Sequence, residues 1–92
     1  MGHGEFKVPG GKLVVADVEV DGGEIIEVEL SGDFFLEPPE ALAAMRDALV
    51  GAPVNASTML LTERVSHAVP EGAVMLGFSA GDVAEAVRRA LA

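Results

Sequence analysis

Two lysines, a glycine turn and an aromatic corner hold most of the chemistry in this sequence. Lys7 precedes the turn Pro9-Gly10-Gly11 and Lys12 follows it. A Gly-Gly-Lys run points first to phosphate binding, in which glycine amides approach an anion and the ammonium neutralises it. The phosphate-loop pattern is not met. It needs a glycine where Phe6 stands, and a Ser or Thr where Leu13 stands. The run also joins two strands, so no helix dipole faces an anion there. It reads as a hairpin turn. Lys12 falls at the rim of an apolar face, where a lysine either snorkels to water or reaches toward a partner. The residues leave both open.

The corner is Gly32-Asp33-Phe34-Phe35. Glycine ends a strand, and Asp33 can accept from nearby backbone amides. Two adjacent aromatics cannot both point inward from an extended segment. Either Phe34 joins the core while Phe35 covers the helix that follows, or one of them is exposed for a partner. Elsewhere the reactive groups are sparse. His3 is expected in a frayed terminus, and His67 late in a helix, near its negative dipole end. Ser57, Ser66 and Ser79 supply hydroxyls, but no Ser-His-acid set has supporting context. There is no cysteine, which excludes a disulfide framework, a thiolate metal site and a cysteine nucleophile.

The elements that position these residues follow from periodicity. Val14, Ala16, Val18 and Val20 share one face of a strand; Ile26, Val28 and Leu30 share one face of the next. Strands are expected over about residues 5–8, 12–20 and 24–31. Parity argues for register. A three-residue loop at Asp21-Gly22-Gly23 pairs Val18 with Ile26, Ala16 with Val28 and Val14 with Leu30, and sets Asp17 against Glu27 on the wet side. At the first turn Phe6 pairs with Val14 and Val8 with Lys12.

Three helices follow. The first starts near Pro38-Pro39-Glu40, carries the stripe Leu42, Met45 and Leu49, and stops at Gly51. The second starts between Asn55 and Thr58 and runs to about Val69, with Leu61, Val65 and Ala68 on one side. Residues 73–78 are either a connector or a fourth short strand. The third helix opens on a capping box, Ser79 with Asp82, flanked by the staple pair Phe78 and Val83. Its stripe is Val83, Val87 and Leu91. The fold class is α+β: a three-stranded antiparallel meander covered on one face by about three helices, in the order βββααα.

Composition narrows the function. The 92 residues are expected to form a single domain with one core and a thin stability margin. With a net charge of −9, no Trp or Tyr, and six basic residues without a patch, neither nucleic acid nor an anionic membrane is an expected partner. No apolar run approaches a membrane span, and the start Met-Gly-His-Gly-Glu has no signal pattern, so a cytoplasmic chain is expected.

The segments KVPGGKLV at 7–14 and SGDFFLEP at 31–38, the Asp-Gly hairpin and the late Gly-Phe-Ser run resemble the C-terminal, or accessory, domain of lipoate–protein ligases. The similarity spans nearly the whole chain, and the absence of a catalytic domain resembles the separate-subunit form. The resemblance implies a non-catalytic partner of the ligase catalytic subunit, required for lipoyl-AMP formation from lipoate and ATP. It implies no cofactor bound by this chain alone, and a lipoyl-acceptor protein as an indirect partner. The residues expected to complete the partner's site are Lys7, Gly10, Gly11, Lys12, Gly32, Asp33, Phe34 and Phe35. Two rival classes stay open on residues alone: a small-molecule enzyme using His67 and a carboxylate, and an interaction module unrelated to lipoate.

Overall fold

A computed structural model describes residues 2–92. The elements are β1 (Gly2–Lys7), β2 (Leu13–Asp21), β3 (Glu24–Gly32), β4 (Phe35–Glu37), α1 (Glu40–Leu49), α2 (Thr58–Ala68), β5 (Val74–Leu76) and α3 (Ala80–Leu91). Strands β1, β2 and β3 form an antiparallel meander in that order, and β4 pairs with β5 in a separate two-stranded ribbon. The βββααα meander with helices on one face is therefore present, with two short strands added. Helix α3 lies across β1 and β2, α1 packs on β3, and α2 bridges α1 and α3. Val14, Ala16, Val18, Val28 and Leu30 of the sheet are buried against Met45, Leu61, Val65, Val83 and Val87 of the helices.

The register differs from the parity argument. Phe6 does pair with Val14. Across the second hairpin, however, Val18 faces Val28, Ala16 faces Leu30, Val14 faces Gly32 and Asp17 faces Glu29. The loop has two residues, Gly22 and Gly23, both at positive φ (61° and 81°), as a tight mirror-type turn requires. Such a loop alone would set the wrong faces together. A bulge corrects this: Val20 faces Ile25 and Glu19 faces Glu27, so Ile26 is the unpaired extra residue. The bulge turns Ile25 inward to 0% exposure and leaves Ile26 55% exposed. Val20, expected in the core, is 42% exposed beyond the bulge.

Helix α1 begins after Pro39 without a side-chain cap and buries Ala41, Met45 and Leu49; Leu42 is only half-buried. The cap of α2 is Ser57, between the two residues expected, and its hydroxyl accepts from the Leu60 amide at 3.1 Å. The capping box of α3 is present: Asp82 N donates to Ser79 Oγ at 3.4 Å, and Ser79 N donates to Asp82 Oδ2 at 2.8 Å. The buried face of α3 includes Ala84, Ala86 and Ala90 besides Val83 and Val87, so the helix can approach the sheet closely. It does so over Gly2 and Gly4. A Cβ on Gly4 would overlap Ala86 O and Ala90 N of the helix backbone.

Strand β1 thus begins three residues earlier than expected, and His3 lies within it rather than in a frayed terminus. On the wet face, His3 Nδ1 is 2.6 Å from Asp17 Oδ1 and Nε2 is 2.8 Å from Glu5 Oε2. Ionised carboxylates only accept, so both ring nitrogens must donate to satisfy both contacts. Hydrogen bonds to Glu5 and then Asp17 raise the His3 pKa above 6.5 against a smaller desolvation effect. The folded chain therefore holds this proton more tightly than the unfolded chain. The resulting stabilisation is fully present below about pH 6.5 and is lost as pH rises through the higher folded value. An NMR titration of the imidazole should give a midpoint above 6.5, which falls back in the Glu5→Gln/Asp17→Asn double variant. An unchanged midpoint in that variant would remove the two carboxylates as the cause.

Candidate functional site

The β1–β2 turn is built by backbone bonds and one lysine. Val8 N donates to Lys12 O at 3.0 Å and Gly11 N donates to Val8 O at 2.8 Å. Lys7 Nζ donates to Gly11 O at 2.6 Å and to Val8 O at 3.3 Å. The Lys7 ammonium is therefore spent on holding the turn closed. Beyond the turn, Lys12 N donates to Gly77 O at 3.0 Å, across to the segment between β5 and α3.

The β3–β4 corner docks beside this turn. Asp33 Oδ1 accepts from Leu13 N at 2.8 Å, so its carboxylate ties the corner to the start of β2. Gly32, at φ 152°, lies against Leu13 O. The Phe34 ring stacks on Phe78, with centroids 4.1 Å apart and planes 29° apart. Phe34 thus joins the core edge, as one of the two expectations had it. Phe35 is 50% exposed, as the second expectation had one of the pair. It pairs with Leu76 across the ribbon, and Glu37 pairs with Val74. Alternation sends Leu36 and Met75 to the core side and leaves Phe35, Val74 and Leu76 outward.

The eight expected residues therefore meet at one end of the molecule, where the β1–β2 turn, the β3–β4 corner and the β5–α3 segment converge. Their parts differ. Lys7 and Asp33 serve the scaffold, Gly10 and Gly11 shape the turn, and Gly32 permits the corner. Phe34 packs, while Lys12 and Phe35 face outward. Sequence reasoning missed Gly77, Leu76 and Val74 as members of this end. Their signal was faint: the Gly-Phe-Ser run read as a helix opening and as part of the resemblance, not as a neighbour of Lys12, and Val74 with Leu76 offers a single alternation around Met75.

The electrostatics single out Lys12. Arg46 pairs with Glu29 at 3.2 Å and Arg89 with Glu85 at 2.9 Å. Arg64 donates to Ala48 O at 3.2 Å, and Arg88 to Val54 O and Ala56 O at 3.0 and 2.9 Å. Among the described residues, Lys12 is the only Lys or Arg whose cation has no hydrogen-bond or ion-pair partner. An unpaired ammonium on an anchored backbone can meet an external anion without first breaking an internal bond. His67, the residue of the rival enzyme reading, lies in the last turn of α2 beside an open groove lined by Ala48, Leu60, Glu63 and Arg64. Among the described residues its side chain makes no hydrogen bond, and no group of three potential ligands could hold a metal ion. Among the described residues no helix is long and apolar enough to cross a membrane.

No protein-family model matches the chain, and no curated protein matches it. A solved structure does. It is described as an archaeal lipoylation system from Thermoplasma acidophilum, a bi-partite lipoate protein ligase and its E2 lipoyl domain. The superposition has a TM-score of 0.75 at 22% sequence identity, and it covers 94% of this chain and 92% of the other. The two chains are thus of nearly equal length and align almost end to end. This α+β chain has the fold of a chain from an archaeal lipoylation system.

Proposed function

We propose that this chain is the non-catalytic accessory subunit of a lipoate–protein ligase, required with the catalytic subunit for lipoyl-AMP formation in the cytoplasm. The observation that carries this reading is the near end-to-end match to a chain of a bi-partite ligase system. It is supported by the convergence of the KVPGGKLV and SGDFFLEP segments at one end, where Lys12 stands unpaired.

In this reading, the catalytic subunit holds lipoate and ATP, and the accessory chain docks so that Lys12 enters the edge of that site. A lipoate carboxylate oxygen attacks the α-phosphorus of ATP. The bond to the bridging oxygen breaks, and pyrophosphate leaves with the electron pair. Negative charge grows on the α-phosphoryl oxygens and the leaving group, and the Lys12 ammonium, carried on an anchored backbone, stabilises it there more than in the ground state. Phe35, Val74 and Leu76 supply apolar contact area beside that lysine. The lipoyl-acceptor protein reaches this chain only through the catalytic subunit.

The test is adenylate formation by the cognate catalytic subunit, measured as lipoyl-AMP and pyrophosphate, with and without this chain. Lipoyl-AMP should form only in the mixture, and the chain alone should form none. Transfer from supplied lipoyl-AMP to the acceptor lysine should need this chain much less. Equal adenylate yield with and without the chain would end the accessory reading.

A further inference from the structure

We propose that Gly77 is a positioning residue that sets the direction of the Lys12 side chain. This rests on the accessory reading for its consequence in catalysis, but the contact itself belongs to the isolated chain.

The two residues are far apart in sequence and locked together in space. Lys12 N donates to Gly77 O at 3.0 Å, which fixes the lysine backbone. A Cβ placed on Gly77 would overlap Lys12 Cγ and come within 3.3 Å of Lys12 Cβ. The aliphatic stem of Lys12 therefore runs over the bare face of Gly77. Gly77 itself has φ 88°, a region that L side chains rarely adopt. The neighbouring turn closes on the same atom: a Cβ on Gly11 would lie 2.6 Å from Gly77 O. Gly11 is held in turn by Lys7 Nζ at 2.6 Å. The stem of Lys12 is thus directed by a backbone saddle rather than by an ion pair, which leaves the ammonium uncommitted. A flexible lysine placed this way loses less rotamer freedom when it meets its anion, so its charge acts as a preorganised one.

A methyl group at position 77 pushes the stem away while Lys12 keeps its charge. Two kinds of measurement separate this from general damage. In the isolated chain, Gly77→Ala, Lys12→Ala and the double variant form a thermodynamic cycle. The backbone strain at position 77 is common to both backgrounds and cancels; the overlap with the stem is not. The fall in melting temperature caused by Gly77→Ala should be roughly 5–10 °C with Lys12 present and clearly smaller in the Lys12→Ala background. Equal falls in the two backgrounds would overturn the contact.

In the assembled ligase, Gly77→Ala should lower kcat for lipoyl-AMP formation on the order of a hundredfold, as a misplaced group does. Subunit affinity should stay nearly unchanged, and the substitution should cause no further loss in the Lys12→Ala background. A similar loss in both backgrounds would make Gly77 a structural residue only and overturn the proposal. A normal adenylation rate for Lys12→Ala, with the stability coupling intact, would support the Gly77–Lys12 contact and overturn the catalytic part given to Lys12.

Discussion

Gly4→Ala should unfold most of this protein under conditions in which Gly81→Ala leaves it intact. Both changes add one methyl group to a glycine. At Gly81, in the first turn of α3, the nearest atom to the new Cβ beyond its chain neighbours and its own helix backbone is Ser79 Oγ at 3.8 Å, and alanine favours helix. At Gly4 the new Cβ meets Ala86 O and Ala90 N, backbone atoms of a helix that cannot swing away like a side chain end. The helix must lift from β1, which opens the contact around Ala86 and Ala90. Overpacking in a core costs about 1–3 kcal/mol, and a clash against backbone belongs at or above the top of that range. A domain of this length has about 5–14 kcal/mol in all. Urea denaturation should show a loss of about 3 kcal/mol or more for Gly4→Ala and little change for Gly81→Ala. Similar midpoints for the two variants would mean that β1 and α3 are not packed as described.

The second large effect is on activity. Lys12→Ala should keep the fold, because the side chain is exposed and its cation has no internal partner to strand. It should bind the catalytic subunit with nearly native affinity. Lipoyl-AMP formation should fall on the order of a hundredfold to a thousandfold, the range seen when one preorganised group facing developing charge is removed. Lys7→Ala gives the contrast. Lys7 holds carbonyls of the turn, so its loss should loosen the loop and weaken stability as well as rate. A Lys12→Ala complex with the normal adenylation rate would make Lys12 a solvated surface residue, and the exposed Phe35 would become the better contact.

Much of the meander was legible because apolar alternation and glycine turns reflect the pleat directly. The pairing of Phe6 with Val14 and the Ser79–Asp82 box followed from local chemistry. What failed did so for identifiable reasons. Ile25 and Ile26 are equally apolar, so composition cannot tell which one faces the core; the bulge decides it. Gly2-His3-Gly4 has little intrinsic strand preference, and its pairing depends on α3, which lies at the other end of the sequence. The ribbon strands β4 and β5 have three residues each, too few to show a period. At the candidate site, the lysines, glycines and aromatics were visible as residue types. Their partition into scaffold and outward groups was not, because Asp33 meets Leu13, and Lys12 meets Gly77, only in the folded chain.

The contact of β1 with α3 also bears on how the molecule comes to exist. The first strand and the last helix close on each other, with Gly2 against Ala90. Ribosomes deliver β1 before α3, so the face of β1 that the helix covers stays open until α3 has been made. Bringing such distant segments together costs loop entropy before any contact repays it, which places the chain toward the slow side for its size. Until then the face of β1 and β2 that α3 covers lies open, and the ten acids among residues 1–40 add like-charge repulsion between neighbouring chains.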